Sequence, residues 1–206
     1  WFGLPIRYAF RQPHIPGVRR QEMKIGNRAP KNQNEKQYLR NPFIESVVNN
    51  EISQWPNSFV FTSVNTDLRK NTPFKLTPDA VLVSENAIGV VECKLIRNSS
   101  STHGMLEQVL LYCEVIRTID TQELKKALTD AKQRNPTGDP EIYLGSLSKL
   151  RANCVPIIVI DRWGGKFQNT AAITLSLFNK ALPKIGRNSI QLYVRSGSTF
   201  ERVNVS

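Results

Sequence analysis

The sequence predicts an α/β protein built on a mixed central sheet flanked by helices. Three observations predict it. Short runs rich in β-branched and aromatic residues are interleaved with segments of helical period, CVPIIVID (154–161) is a continuous apolar run of the kind found in strands covered on both faces, and no internal repeat is present. At 206 residues, 40% of them hydrophobic, the chain is long enough to bury one core without disulfides or metals.

The elements follow in chain order. Residues 1–40 are rich in Arg, Lys, Pro, Asn and Gln and show little periodicity, so they are expected to form an extended basic arm ahead of a folded unit at 41–206. Asn41-Pro42 resembles a helix start, an N-cap followed by proline, and NPFIESVVNNEISQW puts Phe43, Ile44, Val47, Val48, Ile52 and Trp55 on one face up to Pro56. FVFTSVNTDL (59–68) is a strand by alternation, and a hairpin is expected at about 76–96. GMLEQVLLYCEVIRTID is an apolar helix, TQELKKALTDAKQRN a polar exposed one, CVPIIVID a buried strand and TAAITLSLFNKAL a further helix. SIQLYVR and TFERVNV are closing strands.

The 28 Lys and Arg against 17 Asp and Glu give a net charge of +11, and the pI is near 9.8. This is the electrostatic footprint of a polyanion binder. Cys93, Cys113 and Cys154 form neither a disulfide framework nor a zinc spacing, and they are too few for an iron–sulfur cluster. A reducing intracellular compartment is expected, cytoplasmic or associated with nucleoid or nucleus. No stretch has the apolar length of a membrane span, so no membrane partner is expected.

The chemistry concentrates in PDAVLVSENAIGVVECK, residues 78–94. If Ser84 and Ala87 close a two-residue turn on Glu85-Asn86, Asp79 stands directly opposite Glu92. Alternation then puts Glu92 and Lys94 on one face and Cys93 on the other. Two opposed, part-buried carboxylates repel unless a cation lies between them, and oxygen donors of this kind suit a hard divalent ion such as Mg²⁺. The alternative is a structural Asp–Lys–Glu cluster in which Lys94 alone balances the charge.

Pro78-Asp79, twelve intervening residues and Glu92-Cys93-Lys94 resemble the signature of the PD-(D/E)XK nuclease superfamily. The predicted order around it also resembles that superfamily's αβββαβ core, the restriction-endonuclease-like fold. Gln108 and Tyr112 lie four apart in EQVLLY, on one helix face, and are similar to the Gln-x-x-x-Tyr element of the RecB-like branch. The resemblance covers about residues 41–161.

It implies metal-dependent hydrolysis of a phosphodiester. Asp79, Glu92 and the backbone carbonyl of Cys93 would hold Mg²⁺, with Mn²⁺ able to replace it. Lys94 would orient a water or take its proton, and Gln108 and Tyr112 would position the reacting groups. The superfamily also tends to carry a glutamate on the helix before the first strand. Glu45, early in the predicted helix, is preferred for this role, and Glu51, nearer the centre of the apolar face, is the alternative.

Arg19 and Arg20 of the arm, with Lys70, Lys75, Arg97 and Lys166, are the expected phosphate contacts, which give affinity without reading sequence. DNA is the expected partner. RNA on the same core, or a subunit that binds without cutting, are the alternatives. Cutting both strands at one place would need two active centres, as a homodimer or a larger multi-subunit assembly would supply.

Overall fold

A computed structural model describes residues 25–64, 77–96, 101–134 and 141–205, with backbone alone for 101–103 and 165–167. Among the described residues there are nine strands, with helices between some of them. They are β1 (Ile25–Gly26), β2 (Phe59–Thr62), β3 (Ala80–Val83), β4 (Ile88–Lys94), β5 (Lys132–Gln133), β6 (Cys154–Ile160), β7 (Arg162–Trp163), β8 (Gln191–Ser196) and β9 (Thr199–Val203). The principal helices are α1 (Asn41–Val48), α2 (Ser101–Thr118), α3 (Thr121–Thr129), the short α4 (Glu141–Leu144) and α5 (Leu147–Leu150), and α6 (Gly165–Ala181).

Seven strands form one mixed sheet in the order β5-β2-β3-β4-β6-β8-β9. β2, β3 and β4 are antiparallel neighbours, whereas β4, β6 and β8 run parallel. Parallel neighbours need crossover connections, and α2 and α6 supply them. The expected class, a mixed sheet flanked by helices, is the one observed.

Strand alternation divides the core in two. Val81, Val83, Ile88, Val90, Ile158 and Ile160 face α2, α3 and α6, where Leu106, Val109, Tyr112, Leu124 and Leu175 cover them. Ala80, Leu82, Val91, Cys93, Ile157 and Val159 face α1, Ile52 and Trp55. On that second face Phe43 packs on Tyr193 and Phe200, with ring centroids 5.3 and 5.2 Å apart. Gly89 lets the Trp55 ring approach β4 closely, since a Cβ there would come within 2.7 Å of it.

The first helix departs most from expectation. It starts at Glu35, where Asn34 accepts from the Gln37 N–H at 2.9 Å and Gln37 accepts in return from the Asn34 N–H at 3.4 Å, a reciprocal capping box. Pro42 therefore lies inside the helix. An α-helix would send the N–H of residue 42 to the Tyr38 carbonyl, and proline has none to send. The preceding stretch, Lys36–Arg40, relaxes into a π-turn in which Asn41 N–H reaches the Lys36 carbonyl, and Arg195 donates to the Tyr38 carbonyl in place of the missing amide. The Arg195 guanidinium also stacks 4.2 Å over the Tyr38 ring.

The helix ends at Val48, short of the expected Trp55, because Asn50 takes a left-handed conformation at φ 59°. Residues 25–40 are thus not an extended arm. Leu39 is fully buried, β1 pairs with β7, and a boundary at residue 40 would cut one helix in two. The strands β1, β5 and β7 and the short helices α4 and α5 were not anticipated. Each is too short to carry a period. Residues 65–68 of the expected first strand lie outside the described residues.

Candidate active site

β4 outruns β3, and the site occupies the edge this leaves open. The β3–β4 ladder extends from Val83↔Ile88 to Ala80↔Val91, closed by the expected turn, in which Ser84 N–H donates to the Ala87 carbonyl at 3.0 Å. β4 then continues to Lys94 with β6 as its one paired strand among the described residues. Asp79 does not pair squarely with Glu92 as the register alone would have it. Its own N–H turns to the Val91 carbonyl at 3.1 Å, the ladder ends, and its carboxylate reaches forward to accept from Cys93 N–H at 2.8 Å.

Two residues on, Leu95 N–H donates to Glu35 Oε2 at 3.0 Å. Carboxylates on the two consecutive edge amides therefore replace the missing strand. Since a residue in an extended strand sends its N–H and C=O to the same side, the Cys93 carbonyl faces the same edge. Its side chain is buried on the α1 face, while Glu92 and Lys94 lie on the α2 face. The expected alternation holds.

The charges are strongly coupled. Glu92 is only 6% exposed, and its carboxyl is pushed up to about 8, first by burial and then by Asp79 and Glu35, with Lys94 opposing. Burial also raises Asp79, against the lowering effects of the Cys93 amide, Arg40 and Lys94. From α2, Tyr112 faces the same charges. Burial, Glu92 and Asp79 together push its phenol up to about 12. Gln108 is exposed one turn earlier on that helix. Arg40 Nη1 stands 3.8 Å from Asp79 Oδ1.

The helix carboxylate at the site is Glu35. Glu45 is exposed on α1 beside Asn41, Ile44, Val48, Asn49 and Arg134, and Glu51 is exposed past the helix end. Neither is among the charges that act on Glu92. Both expectations followed from starting the helix at Asn41. The signal that would have found Glu35 is Asn34-x-x-Gln37, a capping box one residue ahead of it.

The donors at this edge fit a hard divalent cation. They are oxygens throughout, and burial beside two other acids pushes the Glu92 carboxyl up to about 8 although Lys94 opposes it, a cost that a bound cation would relieve. Among the described residues no three His, Cys, Asp or Glu side chains enclose an ion by themselves. An octahedral ion held by two carboxylates, a main-chain carbonyl and water needs no such enclosure.

Beside the acids, a cleft of about 300 Å³ is lined by Arg28, Ala29, Pro30, Lys31, Leu95, Ile96 and Asp161. Its floor is fixed by Asp161, 1% exposed, which accepts from Ile96 N–H at 2.7 Å and Ala29 N–H at 3.3 Å. Gly26, at φ 78°, allows this approach, because a Cβ there would run into the carbonyls of Asp161 and Arg195. Arg28 and Lys31 are exposed at its lip. Sequence reasoning assigned Arg28 to the arm and missed Lys31. Of the expected phosphate contacts, Arg19, Arg20, Lys70, Lys75 and Arg97 lie outside the described residues, as does the side chain of Lys166. No helix among the described residues is long and apolar enough to cross a membrane.

The chain matches no family model, no curated protein and no solved structure.

Proposed function

We propose that the chain is a metal-dependent nuclease that hydrolyses phosphodiester bonds in DNA, on a restriction-endonuclease-like core of the PD-(D/E)XK type. The observation that carries this reading is the edge of β4, where Asp79, Glu92, Lys94 and Glu35 converge and burial beside two other acids pushes the Glu92 carboxyl up to about 8. The run of helix, β2, β3, β4, α2 and β6, with β2-β3-β4-β6 adjacent in the sheet, supports the comparison with that core. The site also lies at the carboxyl ends of the parallel strands β4 and β6, where open α/β sheets place their ligands.

Asp79, Glu92 and the Cys93 carbonyl would hold Mg²⁺, or Mn²⁺ in its place, with Glu35 contributing directly or through water. A bound divalent ion supplies a water of lowered pKa and neutralises charge that builds on the phosphate. Lys94, two residues past Glu92 on the same face, orients the attacking water or accepts its proton, and its ammonium form stabilises the transition-state anion. Tyr112 keeps its proton to about pH 12, so at neutral pH it serves as a hydrogen-bond donor and not as a base. Gln108, exposed on the same helix, faces arriving substrate. Arg28 and Lys31 hold the strand beside the acids by its phosphates, which yields affinity but no sequence preference.

The test is a substrate panel of supercoiled DNA, linear duplex, single-stranded DNA and RNA, each with Mg²⁺, Mn²⁺ or EDTA, comparing wild type with Lys94→Ala. Metal-dependent loss of DNA with the wild type alone supports the reading. Loss of RNA alone moves the same chemistry to a ribonuclease. Retained, salt-sensitive binding by both proteins with no cleavage by either would replace it with a binding subunit.

A further inference from the structure

Arg40 is a charge at the site to which the mechanism above gives no task. Its guanidinium is held against Asp79, yet at 3.8 Å the Nη1–Oδ1 approach is an ion contact longer than a hydrogen bond, and the other Asp79 oxygen already accepts from Cys93 N–H. The buried Nε has no hydrogen-bond partner among the described residues. A guanidinium carries five donors in a rigid fork and does not deprotonate, so a side chain placed this way is underused.

Its position has a backbone cause. On a regular α-helix, Glu35 and Arg40 would point about 140° apart. The π-turn at Lys36–Arg40, with its Asn41 to Lys36 hydrogen bond, spreads nearly five residues over one turn and brings the two onto neighbouring faces. Glu35 then reaches the edge of β4 while Arg40 reaches Asp79.

We propose that Arg40 is the phosphate clamp of this site: it pairs with Asp79 in the metal-free protein and transfers to a non-bridging oxygen of the substrate phosphate when a divalent cation occupies Asp79. The proposal rests on the nuclease reading. A cation on Asp79 takes over the charge that holds Arg40, and the released planar fork suits a phosphate, which it can grip bidentately. Arg40 and the metal therefore compete for Asp79 and cooperate on the substrate.

Those two relations have opposite signs, and the test uses both. Mn²⁺ binding is measured by calorimetry, and binding of a labelled single-stranded oligonucleotide is measured in Ca²⁺, for wild type, Arg40→Gln and Arg40→Lys. With the competing cation gone, Arg40→Gln should bind Mn²⁺ roughly threefold to tenfold more tightly and the oligonucleotide roughly tenfold more weakly, a coupling of ordinary size for paired charges. Arg40→Lys keeps the charge but loses the fork. It should leave Mn²⁺ affinity near the wild-type value, weaken the oligonucleotide several-fold, and carry the test if Arg40→Gln does not fold.

Weaker Mn²⁺ binding in a folded Arg40→Gln would show that Arg40 only braces Asp79 and would overturn the proposal, as would unchanged oligonucleotide affinity in both variants. If the wild type cleaves neither DNA nor RNA, the nuclease reading fails by itself. The two binding measurements still decide the role of Arg40.

Discussion

Glu92 is the residue on which the energetics of the site turn. Burial and the neighbouring acids push its carboxyl up to about 8 from an ordinary value of about 4.5, so between these values the folded state keeps a proton that the unfolded state has lost. The stability this represents is fully present below about pH 4.5 and is lost as pH rises through 8, with a ceiling of roughly 5 kcal/mol. Glu92→Gln cannot titrate. In urea unfolding with EDTA it should match the wild type near pH 5 and exceed it by about 1–3 kcal/mol at pH 8.5. Divalent metal should reverse the order, since it binds the ionised wild-type carboxylate in competition with the proton. Equal stabilities at both pH values would mean that Glu92 carries no burial strain and that no ion is needed to relieve it. This residue, with Asp79 and Lys94, was legible in the sequence because a two-residue turn fixes a hairpin's register and alternation fixes its faces. The slip at Asp79 was not, because a side chain that reaches past the end of a ladder leaves no periodic trace.

At the scale of elements, the helix from Glu35 to Val48 decides which acid enters the site, and its start was misread for a physical reason. Pro42 is favoured at the first turn of a helix, so Asn41-Pro42 resembles a beginning. Here the π-turn and Arg195 absorb the proline inside the helix, a tertiary compensation that local sequence cannot announce. Glu35 and Arg40 both disappeared into a supposed arm as a result. The compensation can be measured as a double-mutant cycle. Arg195→Met leaves the Tyr38 carbonyl without its donor and should cost about 1–3 kcal/mol in the wild-type background. With Pro42→Ala the restored amide can serve that carbonyl, and the cost should shrink by about 1 kcal/mol. Additive costs would show that Arg195 stabilises the helix through its stacking on Tyr38 and not through the orphaned carbonyl.

For the whole molecule, a chain of net charge +11 carries a cluster of acids at one end of the sheet. On the proposed reading, basic surface attracts a polyanion and the acids would bring it to a divalent ion. The class of the fold was legible because buried parallel strands and apolar helices have distinct periods. The strands β1, β5 and β7, at two residues each, and the cleft at Arg28 and Lys31 depend on contacts between distant parts of the chain and were not. If that cleft holds phosphate, Arg28→Ala and Lys31→Ala should each weaken oligonucleotide binding and lower the slope of log affinity against log salt by about 1, whatever the sequence of the oligonucleotide. An unchanged slope would remove the cleft from the interface. The most direct test of the account is cleavage of end-labelled DNA, single- and double-stranded, followed across a Mg²⁺ titration for wild type and Asp79→Asn. The account predicts cleavage by the wild type that saturates with Mg²⁺ and stops in EDTA, and a loss of at least about 100-fold in Asp79→Asn. Cleavage that persists in EDTA or in Asp79→Asn, or no cleavage of DNA by the wild type at any Mg²⁺ concentration, would contradict it.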